Sequence, residues 1–165
     1  CSMIVLGIDP GIAIVGYGIT DYIGNKFTVL DCGVIRTKSD LSYPERLELI
    51  FNGLNQIISS YNIDEIAVEE LFFCKNVKTA IDVAHARGVI VLCGQLNKKP
   101  IYEYTPLQVK QGVSGYGKAD KRQVQEMVKL LLNLKTIPKP DDAADALAIA
   151  ISHCHTSKIT GMFRA

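Results

Sequence analysis

Two apolar runs, far apart in the chain, each arrive at a carboxylate. Residues 3–9 (MIVLGID) read as a strand that turns at once through Pro10-Gly11. Proline has no N–H for a central ladder, so the strand stops there. Residues 64–71 (DEIAVEEL) read as a second such strand, apolar in the middle and carrying Glu69-Glu70 toward its end. The long connection between them is a crossover, which makes the two strands parallel. They can then be neighbours, with Asp9 and one of Glu69 or Glu70 at the same sheet edge. Asp is disfavoured inside strands and costly to bury unpaired. Taken alone, Asp9 reads equally well as an Asx-type turn cap or as a metal ligand. Further acids at the same place would decide it.

The rest of the chain supplies the frame. Residues 14–22 and 27–37 read as strands, with Gly24-Asn25 turning between them and Gly16 and Gly18 thinning one side. With the first strand they form an antiparallel meander. Ser42 and Glu45 have capping-box spacing, and Leu47, Ile50, Phe51, Leu54, Ile57 and Ile58 follow at helical spacing to about Tyr61. Residues 76–96 read as a helix apolar on two sides, hence a buried helix or a subunit interface. A short strand is expected at 101–104, then a brief helical piece from Thr105-Pro106 through Val109. A loop follows at 114–118, then helices at 121–134 and 141–153. The order βββαβαβαα implies one α/β domain over residues 3–156, a mixed five-stranded sheet with helices on both faces.

The last helix brings the further acids. Asp142 and Asp145 are three apart and share a face. Asp142 lies in the first turn, where acids also serve as ordinary caps. Asp145 sits within Ala143-Ala144-Asp145-Ala146-Leu147, where an unpaired carboxylate would be expensive. The small residues around it let a helix lie close to a sheet. Four carboxylates meeting at one edge repel unless cations are present. Hard oxygen ligands suit Mg²⁺ or Mn²⁺, and two such ions can activate water and stabilise the leaving oxygen of a phosphodiester. A nuclease or phosphotransferase follows.

Composition narrows the partners. The 165 residues are 48% hydrophobic and 21% charged, enough for one domain with its own core. No apolar run approaches the roughly 20 residues of a membrane helix, and no basic-then-apolar leader opens the chain. A cytoplasmic protein with no membrane partner is expected. Cys1-Ser2 reads as a remnant ahead of a natural start at Met3, and residues 157–165 as a short tail. The five cysteines form no CxxC pair and read as reduced thiols, Cys32 and Cys93 in apolar settings. His153 and His155 are two apart on a helix and point to nearly opposite faces, so no metal site is read there. Net charge is +1, yet residues 72–130 hold ten Lys/Arg against four Asp/Glu, and the rest eight against thirteen. A basic middle near clustered acids suits a polyanion held over metal ions, although a solvated helical face gives the same counts.

These residues resemble the RuvC-type Holliday-junction resolvases of bacteria, within the ribonuclease-H-like superfamily. The resemblance is carried by LGIDPG (6–11), GYG (16–18), IRTK (35–38), AVEELFFCKN (67–76), ARG (86–88), QVKQ (108–111) and DAADALAIAISHCH (142–155). It implies a Mg²⁺-dependent endonuclease with two ions per site, acting as a homodimer. Such an enzyme cuts four-way DNA junctions by paired symmetric nicks that leave ligatable ends. It implies a RuvA- and RuvB-type branch-migration complex as partner. The family's acids fall on Asp9, Glu69, Asp142 and Asp145. The resemblance, not the spacing, selects Glu69 over Glu70. Some relatives have histidine at the position of Asp142, which adds proton transfer to its possible roles. Lys110 and Lys121 match basic residues near the scissile phosphate, with Lys121 counted among the catalytic groups. Phe72 matches an aromatic residue that lies against bases at the junction centre, and Phe73 is an extra aromatic beside it. Lys75, Lys78, Arg87, Lys118 and Arg122 are expected as further DNA contacts. Modest net charge and a short tail set this chain apart from the family.

Three rivals share some of these signals. An actin-like kinase or ATPase has similar openings but needs two lobes, more than this length supplies. A non-catalytic junction-binding module would not need all four acids. A related nuclease acting on RNA–DNA hybrids would.

Overall fold

The structure, a computed structural model, describes residues 2–70 and 76–157. Its strands are β1 (Ser2–Asp9), β2 (Ile14–Ile23), β3 (Lys26–Arg36), β4 (Glu65–Glu69) and β5 (Ile101–Tyr104). They form one sheet in the order β3-β2-β1-β4-β5. The first three make the expected antiparallel meander, while β4 runs parallel to β1 and β5 parallel to β4. The helices are α1 (Tyr43–Ser60), α2 (Val77–Leu96), α3 (Pro106–Ser114), α4 (Lys121–Leu131) and α5 (Asp141–Ser157). This is the ribonuclease-H-like arrangement.

Strand alternation sorts the core into two layers. Leu6 and Ile8 of β1 and Ile66 and Val68 of β4 point to the α1–α2 side, where they join Ile50, Leu54, Ile58 and Ile90. Val5 and Ala67 point the other way, into a cluster with Leu147, Ile151, Val109, Val113 and Val128 from α5, α3 and α4. The α1 start is the expected capping box: Ser42 Oγ accepts from the Glu45 N–H, and the Ser42 N–H donates to the Glu45 carboxylate. Thr105 with Gln108 and Asp120 with Gln123 cap α3 and α4 the same way.

Three boundaries differ from the sequence reading. The piece expected to stop at Val109 runs on to Ser114, because Val109 and Val113 both bury and Gly115 supplies the left-handed C-cap at φ 75°. Gly112 inside this helix is a contact site, since a Cβ there would lie 2.3 Å from Ser152 Oγ of α5. Helix α4 ends three residues early, before Asn133 at φ 52°. Helix α5 continues past His153 to Ser157.

Candidate active site

The parallel pairing of β1 with β4 decides where the acids fall. Ile8 stands in register with Val68, so Asp9 and Glu69 leave the sheet side by side. Helix α5 crosses the same edge. It comes unusually close because the strands beneath it lack side chains at three points, Gly7, Gly16 and Gly18. A Cβ at Gly16 would be 2.1 Å from the Asp142 carbonyl oxygen, and one at Gly7 would be 2.1 Å from that of Ala146. Gly7 of LGIDPG and the two glycines of GYG therefore set the height of the helix over the sheet. As a result one carboxylate oxygen each from Asp9, Asp142 and Asp145 lie within 4.8 Å of one another. Glu69 stands outside that trio but inside its field. Glu70 is exposed, its N–H donating to the Tyr104 carbonyl.

Electrostatics reports the crowding. Burial, then Glu69, Asp145 and Asp142, push the Asp9 carboxyl up to about 8. Burial and Asp145 push Glu69 up to about 7, against the pull of Lys110 and Lys121. Asp145 is also raised, by burial first, although Lys121 opposes the shift. Acids that hold protons near neutrality are acids short of positive charge. Half-buried carboxylates within reach of one another, with no His or Cys among them, fit a hard divalent cation.

Two of the expected basic residues gather here. Lys121 Nζ lies 3.2 Å from Asp141 Oδ2 and 3.6 Å from Asp145 Oδ2. Burial lowers its ammonium pKa, but Asp145 and Asp141 outweigh that and leave it raised. Lys110 and Lys121 line, with Glu69 and Asp145, a cavity of about 220 Å³ floored by Val109, Val124, Val128 and Ala148. Lys118 and Arg122 are exposed nearby in sequence. Lys78 and Arg87 are on α2, which packs the opposite face of the sheet from α5. Lys78 pairs with Asp82 at 3.2 Å, and Arg87 is engaged by Glu103 instead of standing free. Phe72, Phe73 and Lys75 lie outside the described residues.

Comparison with known proteins then settles the lineage. The family described as crossover junction endodeoxyribonuclease RuvC matches residues 5–153. The chain belongs to the RuvC family. A crossover junction endodeoxyribonuclease RuvC of Alkaliphilus oremlandii is 62% identical over 98% of this chain and 99% of that protein. The Clostridioides difficile protein of the same name is 61% identical over 95% and 93%. Thermus thermophilus RuvC, solved in complex with a Holliday junction substrate, superposes with a TM-score of 0.94 at 34% identity, covering 99% of both chains. The yeast mitochondrial resolvase Ydc2 shares the fold, with a TM-score of 0.67 at 17% identity over 92% of this chain and 78% of that one.

Within this RuvC-family chain, sequence reasoning passed over Asp141, which holds Lys121 beside the acids. Its position next to Asp142 in the first helical turn was the available signal. The two histidines after Ser152 take separate partners: His153 bonds Glu65 and Tyr104, and His155 Nδ1 lies 2.6 Å from the Gly112 carbonyl. Cys32 and Cys93 are free thiols, the second buried, and Cys154 is buried as well.

Proposed function

We infer that this chain is a structure-selective endodeoxyribonuclease that resolves four-way DNA junctions by paired symmetric nicks, using Mg²⁺ or, in its place, Mn²⁺. The observation that carries the reading is the convergence of Asp9, Asp142 and Asp145, with Glu69 beside them, at one sheet edge next to Lys110 and Lys121. Asp9, Glu69, Asp142 and Asp145 would hold two ions. These would lower the pKa of an attacking water and stabilise the leaving oxygen of the phosphodiester. The chain's own residues do the rest. The lysines offset phosphate charge at the mouth of the site. Lys121, held by Asp141 and Asp145, presents its ammonium to the scissile phosphate. Asp142, in the first turn of α5, would bind metal, and the family resemblance adds proton transfer to the leaving group as its second role.

The homodimer is supported by α2. Val77, Ile81, Leu92 and Leu96 are 70%, 49%, 54% and 58% exposed and recur at helical spacing, an apolar stripe open to solvent. A second copy seated there would bury it and present two sites, as paired nicks require. The branch-migration partner and the base-contacting roles of Phe72 and Phe73 rest on the family resemblance. The test is a synthetic four-way junction offered beside a linear duplex and an RNA–DNA hybrid in Mg²⁺. Symmetric nicking of the junction, at least about tenfold faster than either control, is expected. Preference for the hybrid would support the rival nuclease reading.

A further inference from the structure

His153 lies on α5 eight residues beyond Asp145 and is fully buried. Its Nε2 is 3.1 Å from Glu65 Oε1, and its Nδ1 is 2.5 Å from the Tyr104 hydroxyl. The ring also packs on Tyr102, with centroids 4.6 Å apart. The His153 hydrogen bond holds the Glu65 carboxyl below the usual glutamate range. An ionised carboxylate only accepts, so Nε2–H donates to Glu65, while Nδ1 shares its hydrogen bond with the Tyr104 hydroxyl. Glu65 opens β4, whose other end is Glu69, and Tyr104 stands in register with Glu69 on β5. The network therefore joins the helix that carries Asp142 and Asp145 to the strands that carry and flank Glu69.

Elsewhere α5 meets the sheet through apolar contacts, with Leu147 over Gly18 and small residues at the closest approaches. Ala146 and Ala150 lie over Gly7, and Asp142 backbone over Gly16. Such apolar contact is non-directional and does little to fix a helix along its own axis. At the N-terminal end of α5 the acids repel one another, which pushes that end away from β1 and β4. A directional bond placed about 12 Å further along the helix opposes that movement. The pair has no clear role as a stabiliser, because buried polar pairs are often matched or bettered by apolar replacements.

We propose that His153 is a positioning residue: through Glu65 and Tyr104 it fixes the axial setting of α5 on the sheet, and so holds Asp142 and Asp145 at the spacing from Asp9 and Glu69 that binds divalent ions. The inference rests on the metal-dependent nuclease reading. It makes metal affinity, not fold stability, the property that the network controls.

The experiment is Mn²⁺ titration of the full chain by calorimetry, with melting temperature recorded for each variant. His153→Phe weakens Mn²⁺ binding about tenfold, as loss of a ligand-orienting partner does. Glu65→Leu does the same; Glu65 is partly exposed, so this variant tests the tie without emptying a buried site. Glu65→Gln stays within about twofold of the parent, because its amide carbonyl still accepts from Nε2–H. A merely structural role would lower the melting temperature and leave the Mn²⁺ affinity of the folded protein unchanged. A folded His153→Phe or Glu65→Leu that binds Mn²⁺ like the parent overturns the proposal, as does Glu65→Gln binding as weakly as Glu65→Leu. Asp145→Asn is the reference: if it too binds Mn²⁺ like the parent, the acid-site reading itself falls.

Discussion

On the α1–α2 face of the sheet, Leu6, Ile8, Ile19 and Ile66 meet Ile50, Leu54 and Ile90, and large side chains fill the space between the layers. On the α5 face, over β1 and β2, glycine meets alanine and backbone nearly touches backbone. The first face separates helix from sheet by the depth of two side chains. The second removes that depth, which is why acids on a helix can reach an acid at a strand end. Both faces bury a core, but the α5 face does so over β1 and β2 with glycine and alanine at the closest points, which brings the helix near the strands.

The comparison breaks most sharply at Gly16. A valine there would drive its Cβ into the Asp142 backbone, which has no flexible side chain to yield. Junction nicking should fall more than about 100-fold, with Mn²⁺ affinity falling alongside. Normal nicking by a folded Gly16→Val would show that the close approach does not matter. On the other face, Leu54→Ala leaves a cavity under a fully buried side chain and should cost about 2–5 kcal/mol. At roughly 2–4 °C per kcal/mol, thermal melting reads this directly. The nicking rate per folded molecule should stay within about twofold. A selective loss of activity would mean that the two faces are not separable.

The smallest effect is a pH dependence confined to the α5 edge. Asp9 and Glu69 hold their protons more tightly in the folded protein, at about 8 and about 7, than their ordinary values of 3.8 and 4.5. Each raised acid contributes stability that is complete below its unfolded pKa and lost as pH rises through its folded one. Metal-free protein should therefore melt several degrees lower at pH 9 than at pH 5.5, and Mn²⁺ or Asp9→Asn should remove most of the difference. A flat profile in chelator would contradict the crowding of these acids.

The two faces also differed in how far the sequence revealed them. The α1 face was legible: the Ser42–Glu45 box and the period of Ile50, Leu54 and Ile58 are local signals. The meeting of Asp9 with the acids of β4 was legible too, because a crossover forces the two strands parallel. Choosing between Glu69 and Glu70 was not, since adjacent acids at a strand end can each be turned to the edge; the family resemblance singled out Glu69. Gly16 was visible only as a thin spot, because its purpose lies in a helix over a hundred residues away. Lys121 with Asp141, Gly112 under Ser152, and Arg87 with Glu103 of β5 likewise meet partners that only the fold brings together. Long-range pairing of this kind leaves no periodic trace in the chain.

In the proposed function, the acids over the glycine floor are a metal centre that cuts junctions. Single-turnover nicking of a four-way junction by Asp145→Asn in Mg²⁺, with junction binding measured alongside, tests it most directly. Binding within about threefold of the parent and a nicking rate lower by at least about 100-fold are expected. Nicking at the parental rate would contradict it.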